Sequence, residues 1–182
     1  MMKNANVVLT SYPHDIDAKH VDVKPLLLKQ RSLTPGRFRK LAEFLSDLPA
    51  KHFCMETWVT GAEVPRQTCG TTACIAGWAT TMDFAKKRSV KLFLQQHKNS
   101  GYVDIYASLP PSVMGWKTKE PVLTFYPALR LFFGLVAEEI EEIFFNFGLS
   151  KEDAINLLRK KAKQIESEPV PLEGQLYMFP RV

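Results

Sequence analysis

The sequence predicts a mainly α protein: a single compact helical domain with a short β-hairpin and an extended C-terminal tail. Three observations predict it. Apolar residues recur at helical spacing along most of the chain, as in Phe38, Leu41, Leu45 and Leu48. Residues that favour helix starts and stops frame several of these runs. One short run, "YVDIYASL", alternates instead, and the last residues lose all period.

Size and composition fit that class. A chain of 182 residues with 46% apolar content can build one core. The boundaries expected are a helical domain over 1–165 and a linker with a C-terminal peptide over 166–182. The start shows no charged n-region followed by an apolar h-region, so no signal peptide is expected. The densest apolar runs, Leu129 to Val136 and Ile143 to Phe147, are too short to span a bilayer. Three cysteines make an odd, small set that suits reduced thiols and a cytoplasmic location.

Residues 1–33 carry no long period, and "KPLLLKQ" is an apolar patch without a clear form. The first helix is expected at "TPGRFRKLAEFLSDLP", with Thr34 as cap, Pro35 at the first helical position and Pro49 as the stop. Arg37, Arg39, Lys40 and Glu43 fall off its apolar stripe. A second, buried helix is expected over Ala73 to Ala85, capped by Thr71 or Thr72, with Trp78 filling volume beside the small residues Ala76, Gly77 and Ala79. "RSVKLFLQQHKNSG" reads as a third helix ending at Gly101, and "YVDIYASL" as a strand. The segment Pro110 to Pro121 reads as a loop.

Helices return at "YPALRLFFG", "AEEIEEIFFNFG" and "SKEDAINLLRKKAKQIES", with Gly134 and Gly148 as C-terminal stops. Ser150 and Asp153 have the spacing of a capping box. Acid at the start of this last helix and base at its end both suit the helix dipole. Beyond Ile165, "ESEPVPLEG" reads as an extended linker.

The segment "TCGTTACIAGWA" is the most distinctive internal run. Structural zinc needs four ligands, commonly two close pairs, and Cys69 with Cys74 supplies one loose pair that neither Cys54 nor a nearby His completes. No metal and no cofactor are expected. Cys69 stands just ahead of a helix, where backbone N–H groups favour a thiolate, so it is the candidate nucleophile of a thiol enzyme. The base would be one of His14, His20, His52 or His97, and no local pattern selects among them. "QTCGTTAC" is similar to the Gln-x-x-Cys-Gly-Ser-Cys-Trp run of papain-like proteases, with the spacing off by two residues. The architectural reading has Gly70 making a turn and Cys74, Ile75 and Trp78 packing in the core.

"HFCMETW", then "CGTTACIAGWA", then "FFGLVAEEIEEIFF" resembles a group of small uncharacterised bacterial and phage proteins. Their pattern is Phe-Asp-Met-x-x-Trp, Cys-Gly-Thr-x-x-Cys-x-x-Gly and a Leu-Gly-Leu helix. Cys54 stands where that pattern has Asp, and Phe133-Gly134-Leu135 replaces Leu-Gly-Leu. The resemblance covers residues 37–83 and 131–164. It implies a shared fold and a bacterial or phage setting, and no activity.

The tail carries "QLYMF", which resembles the Gln-Leu-x-Leu-Phe pentapeptide of proteins that dock on the bacterial β sliding clamp. The resemblance implies that Gln175 makes a polar contact at the edge of the clamp pocket. Leu176, Met178 and Phe179 would be apolar anchors, and Tyr177 would take the variable position. Met178 replaces Leu at nearly equal volume. The alternative is that these side chains fold back on their own domain. The formal charge of +5, with a pI near 9.1, permits contact with phosphate backbones. Lys86, Lys87, Arg88 and Lys91, and Arg159, Lys160 and Lys163, are the candidate nucleic-acid contacts. The function expected is therefore a non-enzymatic interaction protein that docks on the clamp, as recruiter or inhibitor, with no membrane association. A thiol enzyme using Cys69 and a direct nucleic-acid binder are the alternatives.

Overall fold

The computed structural model describes residues 24–56, 73–86, 90–96, 103–108 and 122–168. In chain order these form α1 (Lys24–Asp47), a 3-10 turn (Ala50–His52), α2 (Ile75–Thr81), α3 (Asp83–Lys86), β1 (Lys91–Gln96), β2 (Val103–Ser108), β3 (Val122–Thr124), α4 (Phe125–Phe133), α5 (Ala137–Phe144) and α6 (Lys151–Ser167). The architecture is mainly α with a small antiparallel sheet. Of the tail expected over 166–182, residues 169–182 lie outside the described residues.

Helix α1 departs most from the sequence expectation. It starts at Lys24, absorbs "KPLLLKQ", and carries Pro35 in its interior. Thr34 is therefore not a cap, and Pro35 is not at the first helical position. An interior proline removes one helical hydrogen bond and costs about 3 kcal/mol. The helix tolerates it because its buried stripe is held from outside. That stripe runs through Leu27, Gln30, Arg31, Thr34, Arg37, Phe38, Leu41 and Leu45 at spacings of three and four. Four of these residues are polar, which hides the period from a reading based on apolar residues. Arg37, expected off the stripe, is 3% exposed.

The polar half of the stripe meets the end of α4. Gly134 ends that helix as expected, with φ +61°. A Cβ there would lie 2.3 Å from Arg31 N and 2.5 Å from Leu27 O, so the backbone of α1 rests directly on this glycine. Three successive carbonyls then accept from α1 side chains. Arg37 Nη1 donates to Phe132 O, Thr34 Oγ1 to Phe133 O, and Arg31 Nη1 to Gly134 O at 3.3 Å. Thr34 Oγ1 also lies 3.1 Å from Gln30 O, so its one proton is shared between two acceptors. Arg37 Nη2 donates to Gln30 Oε1 at 2.8 Å, and its guanidinium stacks 4.1 Å over the Phe132 ring.

Arg31 closes a second bond set. Its Nη1 and Nη2 donate to Glu139 of α5 at 2.7 and 3.1 Å, with Arg31 5% and Glu139 6% exposed. Glu139 Oε2 also accepts from Val136 N at 3.0 Å, so this carboxylate caps the start of α5 from within. Around this polar knot the core is aromatic. Phe38 of α1 packs on Phe133 at 5.3 Å, Phe132 meets Phe133 edge-on at 4.9 Å, and Phe133 packs on Phe144 at 5.2 Å. Burying each of these side chains is worth about 1.5–3 kcal/mol.

Helix α6 runs antiparallel to α1 and is fastened to it near both ends. Lys151 Nζ donates to Leu48 O at 2.8 Å, and Arg39 pairs with Glu166. Ser150 caps α6: its hydroxyl accepts from Asp153 N at 3.1 Å. The return bond differs from a capping box, because Asp153 Oδ2 accepts from the same hydroxyl at 2.7 Å. The helix continues through Ser167, so Glu166 and Ser167 belong to it and the linker starts later than expected. Gly148 is not the stop of α5, which ends at Phe144, four residues earlier.

Two further expectations are corrected. The third helix is strand β1, which pairs with β2 in the register Leu92↔Ala107, Phe93↔Tyr106 and Leu94↔Ile105. Leu92, Leu94, Ile105 and Ala107 face the core, while Phe93 stacks on Tyr106 at 5.8 Å on the other side. The alternation of β1 is strand-like, and four apolar residues at Val90, Leu92, Phe93 and Leu94 mimic a helix. β3 adds to the far side of β2. The single helix expected over Ala73 to Ala85 is two, because Met82 takes an extended conformation (ψ 147°) between α2 and α3.

Two measurements check this arrangement. Gly134→Ala should cost about 1–2 kcal/mol from the left-handed conformation alone, with the collision against α1 adding to it, and lower the melting temperature by several degrees. The Glu166 carboxyl is held below its ordinary value of 4.5 by the hydrogen bond from Arg39. Its contribution is thus present above pH 4.5 and lost as pH falls through the lowered value. Melting curves of Glu166→Gln should lie slightly below those of the native chain at neutral pH and merge with them in acid. The same gap at all pH values would exclude this ionic contribution.

Candidate functional site

The cysteine segment is built on a parallel pairing of two extended stretches of chain. After the 3-10 turn, Phe53 forms a parallel bridge with Ala73. Ala73 N donates to His52 O at 3.1 Å, and Cys54 N donates to Ala73 O at 3.2 Å. His52 O also accepts from Trp78 Nε1 at 3.0 Å. Trp78, 2% exposed, packs on Phe44 of α1 at 5.4 Å. Trp78 thus joins α2 to α1 and to the bridged segment at once.

Cys74 is the N-cap of α2, in place of the expected Thr71 or Thr72. Its Sγ accepts from Gly77 N at 3.4 Å. A sulfur is a weak acceptor, and this cap works because the end is sealed from water, where an unmade bond would cost more. Cys74 is 1% exposed, and burial pushes its thiol up to about 12. It is a protonated thiol at neutral pH, in keeping with the expected core role, and becomes a nucleophile only when base removes its proton. Cys54 is half-buried and, like Cys74, stands one residue beyond the Phe53–Ala73 bridge. Cys69, the candidate nucleophile, lies outside the described residues.

The five residues Gln175, Leu176, Tyr177, Met178 and Phe179 also lie outside the described residues, as do Lys87 and Arg88. Of the remaining basic candidates, Lys86 ends α3 and Lys91 begins β1, and both are exposed. Arg159, Lys160 and Lys163 are exposed on α6. The two groups stand on different packing units: α3 and β1 pack on each other and on α2, whereas α6 packs on α1 and α5. Within the run Arg159 to Lys163, Lys161 is buried and pairs with Glu142 of α5 at 2.6 Å. Arg159 Nη2 reaches Ser46 Oγ of α1 at 3.4 Å. The exposed basic face of α6 is therefore Arg159, Lys160 and Lys163.

The sequence reading does not bring the buried Arg31–Thr34–Arg37 row and its partner Glu139 together as a unit. Their signal in sequence is the three-residue spacing of polar side chains on one helix. This row serves the fold: the guanidinium Nη groups and the Thr34 hydroxyl donate to backbone carbonyls, to Gln30 and to Glu139, while Arg31 Nε is buried without a hydrogen-bond partner among the described residues. Among the described residues no group of three or more His, Cys, Asp or Glu could hold a metal ion, and no helix is long and apolar enough to cross a membrane.

No protein-family model, no curated protein and no solved structure matches this chain.

The thiol environments generate a direct check. With iodoacetamide near neutral pH, Cys74 of the native protein should stay unmodified over times in which denatured protein reacts fully. Rapid labelling of Cys74 in the native state would show that the seal around α2 opens.

Proposed function

We propose that this chain is a non-enzymatic interaction protein that docks on the bacterial DNA sliding clamp through the peptide Gln175 to Phe179, as recruiter or inhibitor. The observation that carries the reading is the sequence "QLYMF" close after a segment rich in Pro and Glu. Gln175 supplies the polar contact, and Leu176, Met178 and Phe179 supply three apolar anchors. Each anchor is worth about 1.5–3 kcal/mol on burial, and ordering the peptide offsets much of the sum. The net affinity is roughly micromolar, near −8 kcal/mol.

The helix from which the peptide departs supports the reading. α6 is fastened to α1 near both ends, and Ile165 buries the inner side of its last turn. Seven residues, Glu168 to Gly174, separate that helix from Gln175 and span up to about 25 Å when extended. The basic face of Arg159, Lys160 and Lys163 lies on the same helix. In a complex with a ring that encircles DNA, these cations would stand near the phosphates and add a salt-dependent share of the affinity. Bivalent contact of this kind raises a weak peptide to a useful partner.

The test is capture of the purified clamp by the full chain and by the double variant Gln175→Ala, Phe179→Ala. Capture should be lost with the melting temperature unchanged. Undiminished capture, or no capture by the native chain, overturns the proposal. A large fall in melting temperature would instead assign the peptide to its own domain.

A further inference from the structure

Cys54 and Cys74 occupy corresponding positions, each one residue beyond the Phe53–Ala73 bridge. The two hydrogen bonds around that bridge, 3.1 and 3.2 Å, have the parallel pattern. Phe53 (φ −116°, ψ 126°) and Cys74 (φ −77°, ψ 179°) are both extended. Neighbouring parallel segments lie about 4.8 Å apart, and corresponding positions project to the same side. Disulfides form between residues whose α-carbons are about 4.4–6.8 Å apart. The rung is also held in place, because His52 O takes a second donor from Trp78 Nε1.

We propose that Cys54 and Cys74 form a reversible disulfide, with a small disulfide of the glutathione type as oxidant. Cys54 is half-buried and is the thiol that the oxidant reaches; Cys74 is sealed. The Cys54 thiolate attacks one sulfur of glutathione disulfide, forming a mixed disulfide and releasing one glutathione thiolate. Cys74 then gives up its proton to base and attacks the Cys54 sulfur, releasing the second glutathione. Two protein thiols are oxidised, and one disulfide is reduced to two thiols. Burial holds the Cys74 thiol at about 12. Closure is therefore the slow step and is accelerated by base. The product pins the exit of α1 to the cap of α2 and encloses residues 55–73, which restricts the unfolded chain.

The experiment uses the full chain carrying Cys69→Ser, so that these two thiols are the only ones, beside the native chain. Both are exposed to excess glutathione disulfide at about pH 9, to favour the thiolates. In the variant, both thiols should vanish with no retained glutathione and no dimer. The melting temperature should rise by several degrees and return on adding dithiothreitol. In the native chain, the cross-linked peptide should join Cys54 to Cys74. Persistence of both thiols, a stable glutathione adduct at Cys54 alone, dimerisation, or pairing through Cys69 in the native chain would each overturn the proposal.

Discussion

Helix α4 ends inside the protein, and a buried helix end has carbonyls that water cannot reach. Left unpaired, each would cost about 1–3 kcal/mol. Here Phe132, Phe133 and Gly134 present three of them in succession, and α1 answers with Arg37, Thr34 and Arg31. Two guanidinium groups at the negative end of a helix dipole add favourable charge. Much else follows from this contact. It requires Gly134, because α1 must come close enough for its side chains to reach. It requires Glu139, because a buried guanidinium needs a counter-charge. It also makes Pro35 tolerable in the middle of α1, since that helix is held by bonds to its neighbour as well as by its own.

The same contact explains where sequence reading fails. Periodic apolar residues place the second half of α1, because Phe38, Leu41 and Leu45 make the stripe visible. They miss the first half, because Gln30, Arg31, Thr34 and Arg37 occupy the same stripe as polar groups. Thr34-Pro35 then imitates a helix start with great fidelity. Local chemistry is legible where the cause is local: Ser150 caps α6 through its own first turn, and Gly134 ends α4 in the left-handed conformation. It is less legible where the cause is distant. β1 resembles a helix until β2 supplies a partner, and Cys74 becomes a cap because burial keeps water away from the Gly77 N–H.

The candidate site divides along the same line. The docking peptide and Cys69 are read from residue type and position alone, outside the described residues. The cysteine rung is the reverse case. Nothing in the spacing of Cys54 and Cys74 pairs them, and only the bridge between Phe53 and Ala73 brings them side by side. Lys161 gives a third variant. It sits in a basic run with Arg159, Lys160 and Lys163, yet faces Glu142 in the interior. A run of charge in sequence is sorted by the helix into a wet face and a structural ion pair.

The antiparallel seam between α1 and α6 joins distant parts of the chain: Arg39 and Glu166 are 127 positions apart. During synthesis α1 emerges well ahead of its partner. Until those intervening residues are made, the apolar side of α1 has no α6 to cover it. A contact this remote in sequence slows folding, since a long loop must close before the seam forms. Such a nascent chain is exposed to aggregation and to chaperones until α6 has left the ribosome.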